Sequence, residues 1–353
     1  MTYKELLESA RQSFGEHCKA CPVCNGRACG NQIPGPGAKG MGDVAIRNFE
    51  AWQKVRVNMN TIAENKTPDT SFDFFGLKMR YPLFAGPVGA VNLHYGDKLD
   101  DISYNNILVS AAAEAGIAAF TGDGTNPEVM KAATKAVAAA GGQGIPTVKP
   151  WDINTLEEKF ALVADSKSFA VAMDVDAAGL PFLQGLTPPA GSKTVPELSD
   201  IIAKAGKPFI VKGIMTVQGA LDAIRAGASA IIVSNHGGRV LDQTPSTAEV
   251  LEEIAAAVRS ADAENNRHTI ILVDGGIRSG TDVFKAIALG ADAVLIARPF
   301  VTAVYGGGSD GVKLYTEKIG KELADTMKMC GVSSLSEIST KNLFQPKSAY
   351  IRF

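Results

Sequence analysis

The sequence lacks any long apolar run and any marked excess of charge. No stretch of about 18 residues is both apolar and free of charged side chains, so none is expected to span a bilayer. The 35 Lys and Arg residues nearly balance the 37 Asp and Glu, and a net charge of −2 provides no attraction to nucleic acid or to an anionic membrane. The first eight residues, Met-Thr-Tyr-Lys-Glu-Leu-Leu-Glu, are charged and lack the apolar core of a signal peptide. We therefore expect a soluble, cytoplasmic protein with no nucleic-acid or membrane partner.

Cysteine is also scarce, and its distribution is uneven. Four of the five cysteines lie within twelve residues, at Cys18, Cys21, Cys24 and Cys29, while Cys330 stands apart. In a reducing compartment such clustering favours metal or redox chemistry over structural disulfides. Four thiolates can hold a [4Fe–4S] cluster or tetrahedral zinc, although the last interval departs from the usual ferredoxin spacing. Unmetallated or redox-active thiols are the third alternative, and all three stay open at this point.

The first 45 residues differ from the rest of the chain. A short helix is predicted over 3–16, before the cysteines, and a loop rich in Gly and Pro follows at 30–40. A second helix is predicted over 43–54. We therefore divide the chain into an N-terminal cysteine-containing extension, residues 1–45, and a larger domain, residues 46–353.

The larger domain shows a regular alternation of strands and helices. Apolar runs rich in β-forming residues are each followed by an amphipathic stretch with helical spacing. Continuous apolar runs are typical of parallel strands buried on both faces, and eight such βα units close most easily as a (β/α)8 TIM barrel of the α/β class. A doubly wound open sheet is the alternative, but its Gly-rich loop usually follows the first strand, whereas here the Gly-rich loops follow the late ones. The predicted strands are Tyr81–Ala85, Gly116–Thr121, Ile145–Val148, Phe169–Met173, Pro208–Val211, Ala230–Val233, Thr269–Val273 and Ala293–Ile296.

The loops after the last two strands have the composition of a phosphate site. The seventh strand runs into Asp-Gly-Gly-Ile-Arg, in which paired glycines let the backbone approach an anion. Arg278 and the N-terminus of the next helix add positive potential. The eighth strand ends in Ala-Arg-Pro, where Arg298 supplies a second guanidinium suited to bidentate phosphate contact. Because phosphate often binds after strands seven and eight of such barrels, the pattern predicts a phosphate-bearing ligand.

A second set of polar residues follows strands four, five and six. Lys212 comes directly after Pro-Phe-Ile-Val, which indicates a functional charge at the barrel mouth. His236 lies between Asn and two glycines, where it can act as a base near neutral pH. Asp174 ends the fourth strand and can orient His236 and stabilise its protonated form, with Asp176 as the weaker candidate. Arg239 can reach a substrate carboxylate.

These motifs resemble a known enzyme family. The segments Ser-Asn-His-Gly-Gly-Arg, Val-Asp-Gly-Gly-Ile-Arg-Ser-Gly-Thr-Asp-Val-Phe-Lys-Ala and Ala-Arg-Pro look like those of the FMN-dependent α-hydroxy acid oxidases and dehydrogenases, such as glycolate oxidase and lactate oxidase. The resemblance runs from about residue 70 to 330 and excludes the first forty residues. It implies bound FMN, a small-molecule substrate and assembly as a homotetramer or larger.

The resemblance also implies a role for each matching residue. His236 resembles the base that takes the substrate's proton while a hydride equivalent reaches flavin N5, and Asp174 resembles its carboxylate partner. Arg239 resembles the clamp on the substrate carboxylate, and Lys212 the lysine beside the flavin. The implied FMN-binding set is Ala85, Gly86, Pro87, Thr121, Lys212, Ser234, Asp274, Gly276, Arg278, Ala297 and Arg298.

Three positions depart from the family pattern. The N-terminal tyrosine is missing from Gly-Asn-Gln-Ile at 30–33, and Val148 or Lys149 replaces the tyrosine after strand three. Pro181 stands where a second substrate arginine is usual. Losing a bidentate arginine and two hydroxyl donors weakens the binding of a small 2-hydroxy acid. Either Lys149 or the cysteine segment compensates as a substrate contact, or the substrate differs from the small 2-hydroxy acids of the family.

The expected function is therefore FMN-dependent oxidation of a 2-hydroxy carboxylic acid to the 2-oxo acid. An FMN-barrel isomerase or an NAD(P)H-dependent reductase for a different ligand is the alternative. A non-catalytic FMN-binding redox sensor is disfavoured, because Lys212, His236, Asp174 and Arg239 are all present. If the cysteines hold a cluster near the flavin, we expect a dehydrogenase that passes electrons to an acceptor protein and makes little use of oxygen.

Overall fold

The computed structural model describes residues 1–180, 183 and 190–344. Its centre is a closed barrel of eight parallel strands, so the predicted (β/α)8 TIM barrel is confirmed. An antiparallel hairpin precedes the barrel and consists of β1 (Phe72–Phe74) and β2 (Leu77–Met79). The barrel strands pair in chain order, and the last closes on the first; they are β3 (Leu83–Ala85), β4 (Ala118–Thr121), β5 (Gly144–Val148), β6 (Val171–Asp174), β7 (Phe209–Ile214), β8 (Ala230–Val233), β9 (Ile270–Val273) and β10 (Ala293–Ile296).

Each predicted apolar run overlaps one barrel strand, and only the strand ends differ. Every residue of β8 and β9 is buried, because the barrel core covers one face and the helices cover the other. The largest difference is in β7, which continues past the predicted end at Val211 to Ile214. That extension carries a register shift between Lys212 and Ile214, where Gly213 has a φ of +104°. A bulge of this kind redirects side chains at the rim of a barrel.

Eleven helices surround the barrel or flank it within the described residues. Among these residues no helix is both long and apolar enough to cross a membrane. The helices are α1 (Tyr3–Ser13), α2 (Asp43–Lys54), α3 (Val91–Tyr95), α4 (Asp101–Glu114), α5 (Pro127–Ala139), α6 (Ile153–Asp165), α7 (Val195–Ala205), α8 (Val217–Ala226), α9 (Thr247–Asn265), α10 (Gly280–Ala288) and α11 (Arg298–Met329).

The N-terminal extension packs directly on the barrel. Helix α1 begins with a capping box between Thr2 and Glu5, and it ends at Ser13, three residues earlier than predicted, because Phe14 is extended. Its buried face includes Leu6, and a Cβ atom on Gly306 of α11 would lie 2.3 Å from the Leu6 carbonyl oxygen. Helix α2 has the predicted bounds. The close approach at Gly306 places the cysteine segment beside the N-terminal end of α11.

Candidate active site

A cavity of about 600 Å³ opens at the carboxyl ends of the barrel strands. This is the end of a (β/α)8 barrel at which active sites are found. Among the predicted site residues, those that line it are Pro87, Lys149, Lys212, His236, Arg239, Asp274, Gly276, Arg278, Ala297 and Arg298. Five other predicted residues are buried but do not line the cavity, namely Ala85, Gly86, Thr121, Asp174 and Ser234.

His236 is held in position by a strained turn and a carboxylate. The φ of His236 is +55°, a backbone conformation that residues other than glycine rarely adopt. His236 follows shortly after the end of β8 at Val233. Its Nδ1 lies 3.0 Å from Oδ1 of Asp176. A ring that donates through Nδ1 keeps its lone pair on Nε2, the form in which imidazole acts as a base.

The predicted pairing of His236 with Asp174 is wrong in this structure. Asp174 instead accepts a hydrogen bond from the Lys149 ammonium at 2.7 Å, and no residue that the structure describes is hydrogen-bonded to its other carboxylate oxygen. The physical reason lies in the backbone beyond β6, where a 3₁₀ turn over Val175–Gly179 brings Asp176 back towards the barrel mouth. Gly213 leaves room for this carboxylate, since a Cβ atom there would lie 2.6 Å from Cβ of Asp176.

Lys212 is buried among three carboxylates. It pairs with Asp174 across the β6–β7 register, and its Nζ lies 3.9 Å from Oδ2 of Asp274. Burial is the largest influence and opposes the positive charge, but Asp176, Asp274 and Asp174 together outweigh it and raise the pKa of Lys212. The ammonium is therefore a fixed positive charge in the cavity wall at neutral pH.

The same charges act on the pKa values of His236 and Asp176. Burial lowers the pKa of His236 most, Lys212 lowers it further, and Asp176 opposes both without restoring the ordinary value. Burial alone would raise the pKa of Asp176, but Lys212, His236 and Lys149 lower it to about 2. At neutral pH the arrangement thus holds a neutral imidazole against an ionised carboxylate, which can stabilise the imidazolium once a proton has been taken.

The loops after β9 and β10 form a cradle rich in backbone N–H groups and guanidinium groups. Gly275 and Gly276 both have a φ of +84°, and a Cβ atom on Gly276 would lie 2.3 Å from the carbonyl oxygen of Asn48 in α2. Glycine is therefore required where α2 covers this loop. Arg278 and Arg298 both line the cavity, and Arg298 also donates to the carbonyl oxygen of Gly237 at 3.1 Å.

Arg239 is bound to the N-terminal extension. Its Nη1 donates to the carbonyl oxygens of Gly35 and Gly37 at 2.8 and 2.9 Å, and its Nη2 lies 3.1 Å from Nε2 of His94. Burial and the nearby Arg298 lower the pKa of Arg239 to about 10, so the guanidinium stays charged at neutral pH. Because Arg239 still lines the cavity, the predicted carboxylate clamp stays a prediction.

The departures from the family pattern have different outcomes. Val148 is buried in β5, and of the two candidates for the tyrosine position only Lys149 lines the cavity. Residues 30–33 belong to the loop that Arg239 holds, and Gly35 and Pro36 of this loop line the cavity. Pro181 lies outside the described residues.

Three polar residues of this region were not predicted. Asp123 is buried and accepts hydrogen bonds from the Lys159 ammonium and from Nε1 of Trp151, both at 2.7 Å. Asp123 stands two residues beyond the end of β4. The rule that identified Lys212, namely that polar residues just after a predicted strand lie at the barrel mouth, would also have found Asp123. Asn48 and His94 also line the cavity, but both come from outside the barrel strands, where that rule does not apply.

The model of the FMN-dependent dehydrogenase family matches residues 36–182 and 188–345. A peroxisomal (S)-2-hydroxyacid oxidase of Arabidopsis thaliana is 46% identical over 136 residues, which are 38% of this chain and 36% of the relative's length. The L-lactate oxidase of Lentilactobacillus hilgardii is 30% identical over 84% of the chain and 85% of its own length. A crystal structure of mandelate oxidase with an FMN adduct superposes with a TM-score of 0.74, covers 96% of this chain and 98% of its own, and is 28% identical.

Proposed function

The chain belongs to the FMN-dependent dehydrogenase family, and from this premise we propose that it oxidises a small 2-hydroxy carboxylic acid to the 2-oxo acid with His236 as the base. The observation that carries the proposal is the pair formed by His236 and Asp176 on the wall of the barrel-mouth cavity. The enzyme is an FMN-dependent oxidoreductase, and the choice of substrate and base is our inference from the side chains around this cavity.

The cavity residues fit FMN. Oδ1 of Asp274, which lines the cavity, is buried without a hydrogen-bond partner among the described residues, and such an orphaned polar atom awaits a donor from a ligand. The glycine cradle after β9 with Arg278 and Arg298 suits a phosphate, and Lys212 suits the ring system that gains negative charge on reduction. When bound, FMN supplies the two-electron acceptor for the oxidation.

His236 removes one proton from the substrate. The base must be neutral at the start and must tolerate a positive charge afterwards, and the carboxylate of Asp176 at 3.0 Å meets the second requirement. Lys212 and burial meet the first, because both lower the pKa of His236.

Lys149 and Arg239 bind the substrate carboxylate in this proposal. Both line the cavity and both carry a positive charge, but each already has a protein partner, Asp174 for Lys149 and the loop carbonyls for Arg239. Lys149 is the more available of the two, because its ammonium has a single hydrogen-bond partner among the described residues and two further N–H donors. The substrate would therefore lie between Lys149 and His236.

Anaerobic reduction of the bound flavin tests this function. A panel of 2-hydroxy acids of increasing side-chain size, with NADH and NADPH in separate cuvettes, should bleach the flavin absorbance with at least one hydroxy acid and with neither nicotinamide. Bleaching by NADH or NADPH alone would overturn the proposal and would favour an FMN-barrel reductase. Conversion of an added ligand without net bleaching would favour an isomerase.

We further propose a cytoplasmic enzyme that assembles as a homotetramer or larger. If the clustered cysteines hold a redox cluster near the flavin, the acceptor of its electrons is a protein carrier in preference to oxygen. Light scattering of the purified holoenzyme measures the number of chains in the assembly. Oxygen uptake during turnover with substrate measures how far the enzyme uses oxygen as its electron acceptor. A rate of oxygen uptake equal to the rate of substrate oxidation would contradict the proposal that a protein carrier accepts the electrons.

A further inference from the structure

The four clustered cysteines surround one small cavity at the junction of α1 and α11. Cys18, Cys21, Cys24 and Cys29 all line it, together with Tyr3 of α1 and Pro299 of α11. All four thiols are free and partly buried. Four cysteines around a single space are not needed in a segment that only links two helices.

Side chains from other parts of the chain hold the cysteine loop in place. Arg11 donates to the carbonyl oxygens of Lys19 and Ala20 at 3.1 and 3.0 Å. Nε of Arg278, from the loop after β9, donates to the carbonyl oxygen of Cys24 at 2.6 Å. The loop is therefore fixed both to its own helix and to the barrel, as a site for a ligand requires.

The surroundings of the cavity are cationic. Arg298 lines it, Arg278 donates to the carbonyl oxygen of Cys24, and Arg11 donates to the carbonyl oxygen of Ala20, the residue before Cys21. Four thiolates around an inorganic centre carry a net negative charge, which is costly in a buried place unless cations lie nearby. Three guanidinium groups supply that compensation.

We propose that Cys18, Cys21, Cys24 and Cys29 bind a [4Fe–4S] cluster in this cavity, beside the flavin site. The first three cysteines have the two-residue spacing of ferredoxin motifs, and four thiolates are the ligand set that such a cluster needs. The cluster is an addition to the barrel chemistry and does not depend on which 2-hydroxy acid the enzyme oxidises.

The cysteine sulfurs are not as close together as a single zinc ion requires. Tetrahedral zinc at about 2.3 Å from each sulfur holds its ligands within about 4 Å of one another. Among the residues that the structure describes, the only group of three or more His, Cys, Asp or Glu with ligand atoms within 4.8 Å of one another is Asp174, Asp176 and His236. No three cysteine sulfurs are as close as that. A [4Fe–4S] cubane holds its thiolates farther apart than one metal ion does, because each of its four iron atoms binds a different thiolate.

The position of this cavity indicates what the cluster does. Pro36, Tyr95 and Arg298 line both the cysteine cavity and the large cavity at the barrel mouth. A cluster here would lie in a cavity that shares Arg298 with the proposed flavin phosphate site. Such a centre carries one electron at a time, so the class of partner that it serves is a one-electron carrier protein.

Metal analysis of the full chain tests the proposal. The protein, purified without oxygen and with its FMN, should contain about four iron and four acid-labile sulfide per chain, the composition of a [4Fe–4S] centre. Dithionite should produce a paramagnetic signal that is distinct from any flavin radical. Cys24→Ser and Cys29→Ser should each lose the iron and keep the FMN absorbance. Cys330→Ser, which changes a buried cysteine far along the chain, should keep both.

Three results would overturn the inference. The first is a flavin spectrum without iron or sulfide, both after anaerobic purification and after incubation with ferrous iron and sulfide. The second is stoichiometric zinc in place of iron. The third is iron retained in Cys24→Ser and Cys29→Ser at the level of the unmodified chain. The metal content of the unmodified protein decides the question even if a variant fails to fold, and none of these measurements depends on enzyme activity.

Discussion

Oδ1 of Asp176 lies 3.0 Å from Nδ1 of His236, while the carboxylate two residues earlier, Asp174, is bound to Lys149 at 2.7 Å. The two acids are therefore separated in function although they are neighbours in sequence. Asp176 contacts the imidazole that we propose as the base, whereas Asp174 holds a lysine of the cavity wall. This division determines which substitution should affect proton transfer and which should affect binding.

Asp176→Asn should lower the rate of flavin reduction by roughly 10²–10⁴-fold, a range typical of groups that support proton transfer. Burial and Lys212 lower the pKa of His236 and Asp176 opposes them, so its loss should lower that pKa further. A base is active above its pKa. The acidic limb of the kcat/KM profile should therefore move to lower pH as the rate falls.

Asp174→Asn is the matched comparison for this prediction. It removes a carboxylate of the same size from the same segment without touching the hydrogen bond to His236. The position of the acidic limb should then change less than in Asp176→Asn. If Asp174→Asn moved the limb and Asp176→Asn did not, the pairing in this structure would be irrelevant to catalysis.

His236→Gln should keep the flavin and lose its reduction by substrate. Glutamine preserves hydrogen bonding but cannot take a proton, so the loss should be roughly 10²–10⁴-fold or greater. Stopped-flow bleaching under anaerobic conditions measures the rate, and the flavin-to-protein absorbance ratio measures retention. His268→Gln, at an exposed position, is the control and should behave as the unmodified enzyme. Unchanged bleaching in His236→Gln would exclude this residue as the base.

The barrel could be predicted from sequence because its signal is local and repeated. A strand such as Ala230–Val233 is a short apolar run, and its ends are marked by the Gly before it and the polar residues after it. The same logic predicted that Lys212 and His236 would meet, since the carboxyl ends of parallel strands share one end of the barrel. It needed no knowledge of contacts between distant residues.

The partner of His236 could not be predicted in this way. The choice between Asp174 and Asp176 depends on a 3₁₀ turn and on the bulge at Gly213, and neither has a distinctive sequence pattern. The contact of Arg239 with Gly35 joins residues about two hundred positions apart. Such contacts are set by packing of the whole chain, which residue spacing does not encode.

Lys149→Met should raise the KM for a 2-hydroxy acid roughly 10–100-fold, because a hydrogen bond to a charged group contributes about 1.5–3 kcal/mol. The rate at saturating substrate should change much less, since His236 and Asp176 are untouched. Lys149→Arg should recover part of the affinity, and the exposed Lys135→Met should have no effect. Steady-state kinetics over a range of substrate concentration separates KM from kcat. A fall in kcat at constant KM would show that Lys149 acts on the chemical step and does not bind the carboxylate.

Gly238→Ala should release the N-terminal loop from the barrel. Gly238 has a φ of +83°, and a Cβ atom there would lie 2.7 Å from Cβ of Ala38 and 2.8 Å from Cβ of Val44. Strain and overpacking together should lower the free energy of unfolding by about 1–3 kcal/mol. Denaturant unfolding of the holoenzyme measures this, with Gly191→Ala as the control because a Cβ atom there would meet no described residue within 4 Å. Since the loop also carries the carbonyl oxygens that bind Arg239, Gly238→Ala should in addition become sensitive to proteolysis near residues 35–40. Equal stability of the two variants, with equal resistance to protease, would mean that the loop does not rest on Gly238 in solution.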